Sequence, residues 1–124
     1  MPSGTKTYVS KPRRSLLTVG VRRTGGHLRL TLTGDLEVST NHLVRNAVVQ
    51  ACDRQPIERL LIDLEALEFL DSTGISTLIW ARETALANGI ACVVVNCHGM
   101  PRRALEVTGL YSVLAGQTAY GQIE

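Results

Sequence analysis

Apolar, strand-like runs alternate with segments of helical periodicity along this chain, and that alternation constrains its fold more than any other feature. Ser15 to Arg23 and His27 to Thr33 alternate apolar and polar residues on either side of Gly25-Gly26, the pattern of an antiparallel hairpin. Leu43, Val44, Ala47, Val48, Ala51 and Cys52 then repeat at helical spacing, forming the stripe of a helix that Ser39 or Thr40 can cap and that Pro56 ends. Arg59 to Leu64 is a short apolar strand broken by Asp63, and Ile90 to Val95 is β-branched and apolar, as a buried parallel strand should be. Between them a second helix runs from about Ile75 to a C′ residue at Gly89, and a third has Pro101 in its first turn and Gly109 at its close. Tyr111 onward carries no decisive pattern. Such an order predicts an α/β fold in which an antiparallel hairpin joins parallel strands in one mixed β-sheet packed with three to four helices. Functional groups in sheets of this kind collect past the carboxyl ends of the strands.

The chain has 124 residues, 44% of them hydrophobic, enough for one domain with a single core. Its net charge of +2 conceals an asymmetry. Lys6, Lys11, Arg13, Arg14, Arg22 and Arg23 precede residue 24 and no acid does, whereas from Thr24 onward eleven acids face seven bases. Residues 1–14 therefore read as a basic, flexible leader and residues 15–124 as one net-acidic domain. An acidic body argues against a nucleic-acid partner, which requires a basic face. Cys52, Cys92 and Cys97 lie inside apolar patterns rather than at ligand spacing, so they are expected as buried thiols of a protein in a reducing compartment, the cytoplasm. No apolar stretch follows the basic residues as in a secretory signal, and none approaches the ~20 residues of a membrane span.

Between the strand ending at Leu64 and the second helix stands Asp71-Ser72-Thr73-Gly74. A hydroxyl at a helix N-terminus faces unpaired N–H groups and the positive end of the helix dipole, which together hold a phosphate. Ser72 thus reads as a phosphoryl acceptor, against the simpler alternative that Asp71 or Ser72 merely caps the helix. At about 100° per residue, Ile75, Leu78, Ile79, Ala85 and Leu86 form the expected core face of that helix, and Thr73, Ser76, Trp80 and Thr84 the opposite one. Trp80, the sole tryptophan, is either half-buried under a neighbouring segment or an anchor for a protein partner. Arg82 falls near the middle of the apolar side, so it snorkels to solvent or the true core face is rotated.

Several enzyme classes are excluded by what the chain lacks. Its only lysines, Lys6 and Lys11, precede the body, which leaves neither a phosphate-loop lysine nor a Schiff-base lysine there. His27, His42 and His98 are scattered, without metal-ligand pairing, and read as surface or strand-end residues. Ser72 is outside any Gly-x-Ser-x-Gly elbow. No cofactor-binding pattern is present. A phosphoaspartate receiver centred on Asp71 would need paired acids after the first strand and a lysine after the last.

Gly34-Asp35-Leu36-Glu37 with Thr40, Leu61-Ile62-Asp63-Leu64, Phe69-Leu70-Asp71-Ser72-Thr73-Gly74 and Leu105-Glu106-Val107-Thr108-Gly109-Leu110 resemble, in order and spacing, the anti-sigma factor antagonist branch of the STAS domain family. The likeness spans about residues 15 to 115. It implies a STAS-type fold, phosphorylation of Ser72 by an anti-sigma factor that is also a serine kinase, and a serine phosphatase for reset. It further implies that only the unphosphorylated form binds that kinase and releases a sigma factor. Asp35, Glu37, Asp71, Thr73, Gly74, Ser76 and Trp80 are the expected partner-binding residues. The chain departs from the family pattern where the acids of Asp35-Leu36-Glu37 are exchanged in type and where Thr73 replaces a second serine; charge and hydroxyl are kept. A scaffold or transporter-associated STAS module without phosphorylation is the alternative.

Overall fold

The computed structural model describes residues 15–53, 56–118 and 121–122; the basic segment 1–14 lies outside them. Strands β1 (Leu17–Thr24) and β2 (His27–Leu36) form the expected hairpin, turning through Gly25-Gly26 with Gly25 in the left-handed region at φ +59°. Helix α1 (Asn41–Asp53) follows, then β3 (Arg59–Asp63), β4 (Leu67–Leu70), α2 (Ser72–Ala87), β5 (Ala91–Val95), α3 (Gly99–Val107) and α4 (Tyr111–Leu114). Two short strands, β6 (Gln117–Thr118) and β7 (Gly121–Gln122), make a separate antiparallel pair in the region where the sequence carried no pattern.

The main sheet is mixed, as expected, with β1, β2, β3 and β5 adjacent in that order. β1 is antiparallel to β2, and β3 is parallel to both β2 and β5. β4 was not legible in the sequence. Its four residues give only a buried–exposed–half-buried–buried pattern, too short to register as a period. It forms because β3 leaves the second half of β2 unpaired on that edge, and Leu67, Phe69 and Leu70 fill it opposite Gly34, Asp35 and Leu36 across a bulge.

Leu30, Leu32, Leu36, Leu60, Ile62, Leu64, Leu78 and Leu105 are fully buried, each worth roughly 1.5–3 kcal/mol relative to exposure. On α1 the predicted stripe is the observed one, with Val44, Val48 and Ala51 buried and Leu43, Ala47 and Cys52 packed against the core. On α2 the expected face is corrected. The buried residues are Gly74, Thr77, Leu78, Ala81 and Ala85, whereas Leu86 is 49% exposed and Ile75 and Ile79 only flank the core. Apolar and polar residues are interspersed around this helix, so apolarity alone did not orient it, and the small residues Gly74 and Ala81 and the self-satisfied Thr77 lie on the face that packs. Thr77 enters the core at no polar cost because its hydroxyl donates to the Thr73 carbonyl at 2.9 Å. The rotation also places Arg82 at the half-buried margin.

Two local expectations differ as well. Neither Ser39 nor Thr40 caps α1 with its hydroxyl: Ser39 Oγ donates to Glu37, and Thr40 Oγ1 accepts from the Glu37 N–H at 3.0 Å and donates to the Asp35 carbonyl at 2.8 Å. Both hydroxyls tie the turn back to the end of β2. Cys92 and Cys97 are buried free thiols, but Cys52, near the end of α1, is half-buried.

Candidate functional site

The site is assembled where the parallel register brings the ends of β2 and β4 together. Asp35 lies opposite Phe69 and Leu36 opposite Leu70, and the Asp71 N–H reaches the Leu36 carbonyl at 3.4 Å. Asp71 is extended, at φ −104° and ψ −173°, and its Oδ1 accepts from the Gly74 N–H at 2.8 Å while its carbonyl accepts from the Ile75 N–H at 2.9 Å. Asp71 is therefore the N-cap, and the capping role weighed for Ser72 belongs to its neighbour. Ser72 is the first residue of α2 and is exposed. The backbone N–H groups of a first turn have no acceptor within the helix, so they and the dipole favour negative charge there.

Gly74 explains how the turn can sit so close to the strand. A Cβ at this position would lie 2.4 Å from the Leu36 carbonyl oxygen and 2.7 Å from Leu70 Cδ1, so only glycine lets α2 start against the end of β2. Asp71 caps, Ser72 points outward and Gly74 docks: one tetrapeptide carries three separate jobs.

The other expected residues are not equivalent. Asp35 and Glu37 are 6% and 8% exposed and lie beneath the surface at the β2 end. Hydrogen bonds from Ser15 and then Ser39 hold the Glu37 carboxyl below its ordinary value, outweighing the upward push of burial. Thr73 is half-buried, and Ser76, one turn after Ser72, is exposed. Trp80 is half-buried against the core, with the Arg45 guanidinium 4.8 Å from its ring centroid. Arg45 is itself oriented by a 2.9 Å bond to Asn41 Oδ1. Trp80 thus packs across to α1, with one face of the indole already occupied.

An open groove of about 460 Å³ runs beside the hydroxyl. Leu70, Asp71, Ser72 and Ile75 form one wall, and Met100, Arg103, Ala104 and Val107 of α3, with Thr108 at its C-terminal end, form the other. Arg103 escaped the sequence reading, although a signal was there: Met100 and Val107 stand seven residues apart with Arg103 between them, opposite the buried Pro101 and Leu105. A second cleft, of about 420 Å³, is lined by Val21, Arg23, Leu28, Ala47, Gln50, Ala51 and Ile57 and shares no residue with the site.

Chemically, the arrangement offers an accessible hydroxyl, a capped helix start and a nearby cation. Among the described residues no imidazole is hydrogen-bonded to Ser72, and His98 Nε2 is spent on the Glu65 carbonyl at 2.8 Å. Among the same residues no group of three His, Cys, Asp or Glu side chains is arranged to hold a metal, and no helix is long and apolar enough to cross a membrane.

Comparison with known proteins adds independent findings. The model of the STAS domain family matches residues 18–122. An anti-sigma F factor antagonist of Paenibacillus polymyxa is 26% identical over 89 residues, covering 72% of this chain and 76% of that protein. The crystal structure of an anti-sigma factor antagonist from Mycobacterium paratuberculosis superposes with a TM-score of 0.66 at 27% identity, over 80% of this chain and 83% of that one. The anti-sigma factor antagonist SpoIIAA in its unphosphorylated form shares the fold at a TM-score of 0.66 and 18% identity, over 76% and 83% of the two chains.

Proposed function

This chain belongs to the STAS domain family, and we propose that within it the protein acts as an anti-sigma factor antagonist whose binding is switched by phosphorylation of Ser72. The unmodified form captures an anti-sigma factor with serine kinase activity, in the cytoplasm, and so frees a sigma factor. A serine phosphatase restores the captured state. The names of the similar proteins from Paenibacillus and Mycobacterium support the antagonist role. One observation carries the switch: Ser72 stands exposed at the first position of α2 while Asp71, not Ser72, supplies the cap. Phosphorylation can therefore occur without dismantling the helix start.

The energetics separate folding from binding. A phosphate adds roughly −1.5 to −2 charge, and at the start of α2 the helix dipole and free N–H groups accommodate it. In an interface the same charge lies beside Asp71, with Asp35 and Glu37 beneath, and like charges forced together there cost on the order of several kcal/mol. Since ~1.4 kcal/mol is tenfold in affinity, the partner is released while the fold is kept. Asp71, Thr73, Ser76 and Trp80 frame the contact face in this reading, and the buried Gly74 sets how closely that face sits against the end of β2.

Incubating the protein with extract of its own cell and ATP, followed by mass spectrometry, tests the modification; the phosphate is expected on Ser72 and absent from Ser72→Ala. Binding then tests the switch. Ser72→Ala should retain the recovered kinase, and Ser72→Asp should lose at least tenfold in affinity with unchanged melting. Equal affinity of wild type, Ser72→Ala and Ser72→Asp overturns the proposal, as does phosphate on another residue.

A further inference from the structure

The wall of the groove facing Ser72 carries a feature that an accessible hydroxyl does not require. Helix α3 leaves Met100 43% and Val107 79% exposed, although both are large apolar residues with the sheet close by. They are seven residues apart, about 10 Å along the axis at 1.5 Å per residue, and so extend over two helical turns. The half-buried Ile75 continues the apolar surface on the opposite wall, backed by the buried Leu70.

Arg103 is the one cation in this lining. Its neighbour Arg102 is engaged, donating to Glu106 Oε2 at 2.9 Å and stacking 4.4 Å from the Tyr111 ring centroid. Arg103, by contrast, is exposed and forms no ion pair, side-chain hydrogen bond or ring contact among the described residues. The groove's only acid, Asp71, already has one carboxylate oxygen committed to the cap. A two-turn apolar groove with a single unspent positive charge selects its occupant by charge complementarity.

We propose that this groove takes an amphipathic helical segment of the partner, with apolar side chains at i, i+3 or i+4 and i+7 and a carboxylate set between them against Arg103. The inference rests on the reading of the protein as a partner-binding switch and specifies how that partner is recognised. It also changes what the phosphate does. A phosphate on Ser72 lies on the wall opposite Arg103, where it both repels the incoming carboxylate and competes for the guanidinium that would receive it. Release then comes from loss of the partner's counter-charge as well as from repulsion by acids on this chain.

Two synthetic fourteen-residue helical peptides test this, identical except that the central polar position between the leucine anchors is Glu in one and Lys in the other. Each is titrated into the full-length ¹⁵N-labelled protein by NMR. The Glu peptide is expected to shift the amides of Ile75, Arg103, Ala104 and Val107 and to bind about tenfold more tightly than the Lys peptide. Arg103→Glu should reverse that order, Arg102→Glu should leave it, and Val107→Ser should weaken both peptides. Equal binding of the two peptides to wild type overturns the proposal, as do shifts confined to other surfaces. Concentration-dependent shifts without peptide, which would mean that a second copy fills the groove, also overturn it. The protein carrying phosphoserine at 72 separates the two levels: discrimination by charge in the unmodified protein, with undiminished binding after phosphorylation, refutes the switch and leaves the groove standing.

Discussion

Replacing Gly74 by alanine sets two effects of known size against each other. The glycine is in the first turn of α2 with ordinary helical backbone, so by propensity alone alanine should stabilise by about 1 kcal/mol. Sterically, the new Cβ would meet the Leu36 carbonyl oxygen at 2.4 Å and Leu70 Cδ1 at 2.7 Å. The leucine methyl can rotate away; the carbonyl belongs to the last residue of β2, which is held by its pairing with β4 and by the Asp71 N–H. Overpacking against such a fixed atom belongs at the upper end of the usual range, about 3 kcal/mol. The difference is a net loss of about 2 kcal/mol, or about 8 °C in Tm for a domain of this size. Thermal melting by circular dichroism and urea unfolding both measure it. Gly20→Ala is the control, because its nearest atoms, on Thr31, are 3.9 Å away, and it should melt at or slightly above the wild-type temperature. A Gly74→Ala protein as stable as wild type refutes the claim that the helix start is clamped on the strand end.

Other expectations follow from the same geometry. Asp71→Ala should lose ~1 kcal/mol in urea unfolding through the missing cap, and Asp71→Asn much less, since asparagine caps equally well. Because Glu37 has a folded pKa below its unfolded value, its contribution is present above the unfolded carboxylate range and disappears as pH falls through the folded pKa. Glu37→Gln should accordingly flatten the acid side of the stability profile, below about pH 4.5. Burial pushes the thiols of Cys92 and Cys97 up to about 12 and about 11, so neither should react with a thiol reagent at pH 8 until the protein is unfolded. Leu105→Ala, at a fully buried position on α3, should cost about 2–5 kcal/mol by calorimetry.

How much was legible differs by element. The hairpin, α1, β3, β5 and α3 were each announced by a local signal: a Gly-Gly turn, an unbroken apolar stripe, a β-branched run, a proline in the first turn followed later by glycine. Ser72 stood out because its neighbours define a strand-to-helix junction within four residues. β4 was missed because four residues hold too little period, and its pairing depends on an edge that β3 happens not to cover. The face of α2 was misplaced because its apolar and polar residues are interspersed with no clear apolar direction, and the packed side includes the small residues Gly74 and Ala81 and the polar Thr77.

What the residues determine alone is therefore the kind and order of elements and the position of one exposed hydroxyl at a helix start, since turns, caps and periodicity act over a few neighbours. Tertiary packing alone decided that Asp35 and Glu37 would be buried at the end of β2 and that Arg103 would come to face Ser72. These groups are separated by up to some thirty residues in the chain. Their meeting depends on strand register and on the close approach at Gly74, which are properties of surfaces in contact.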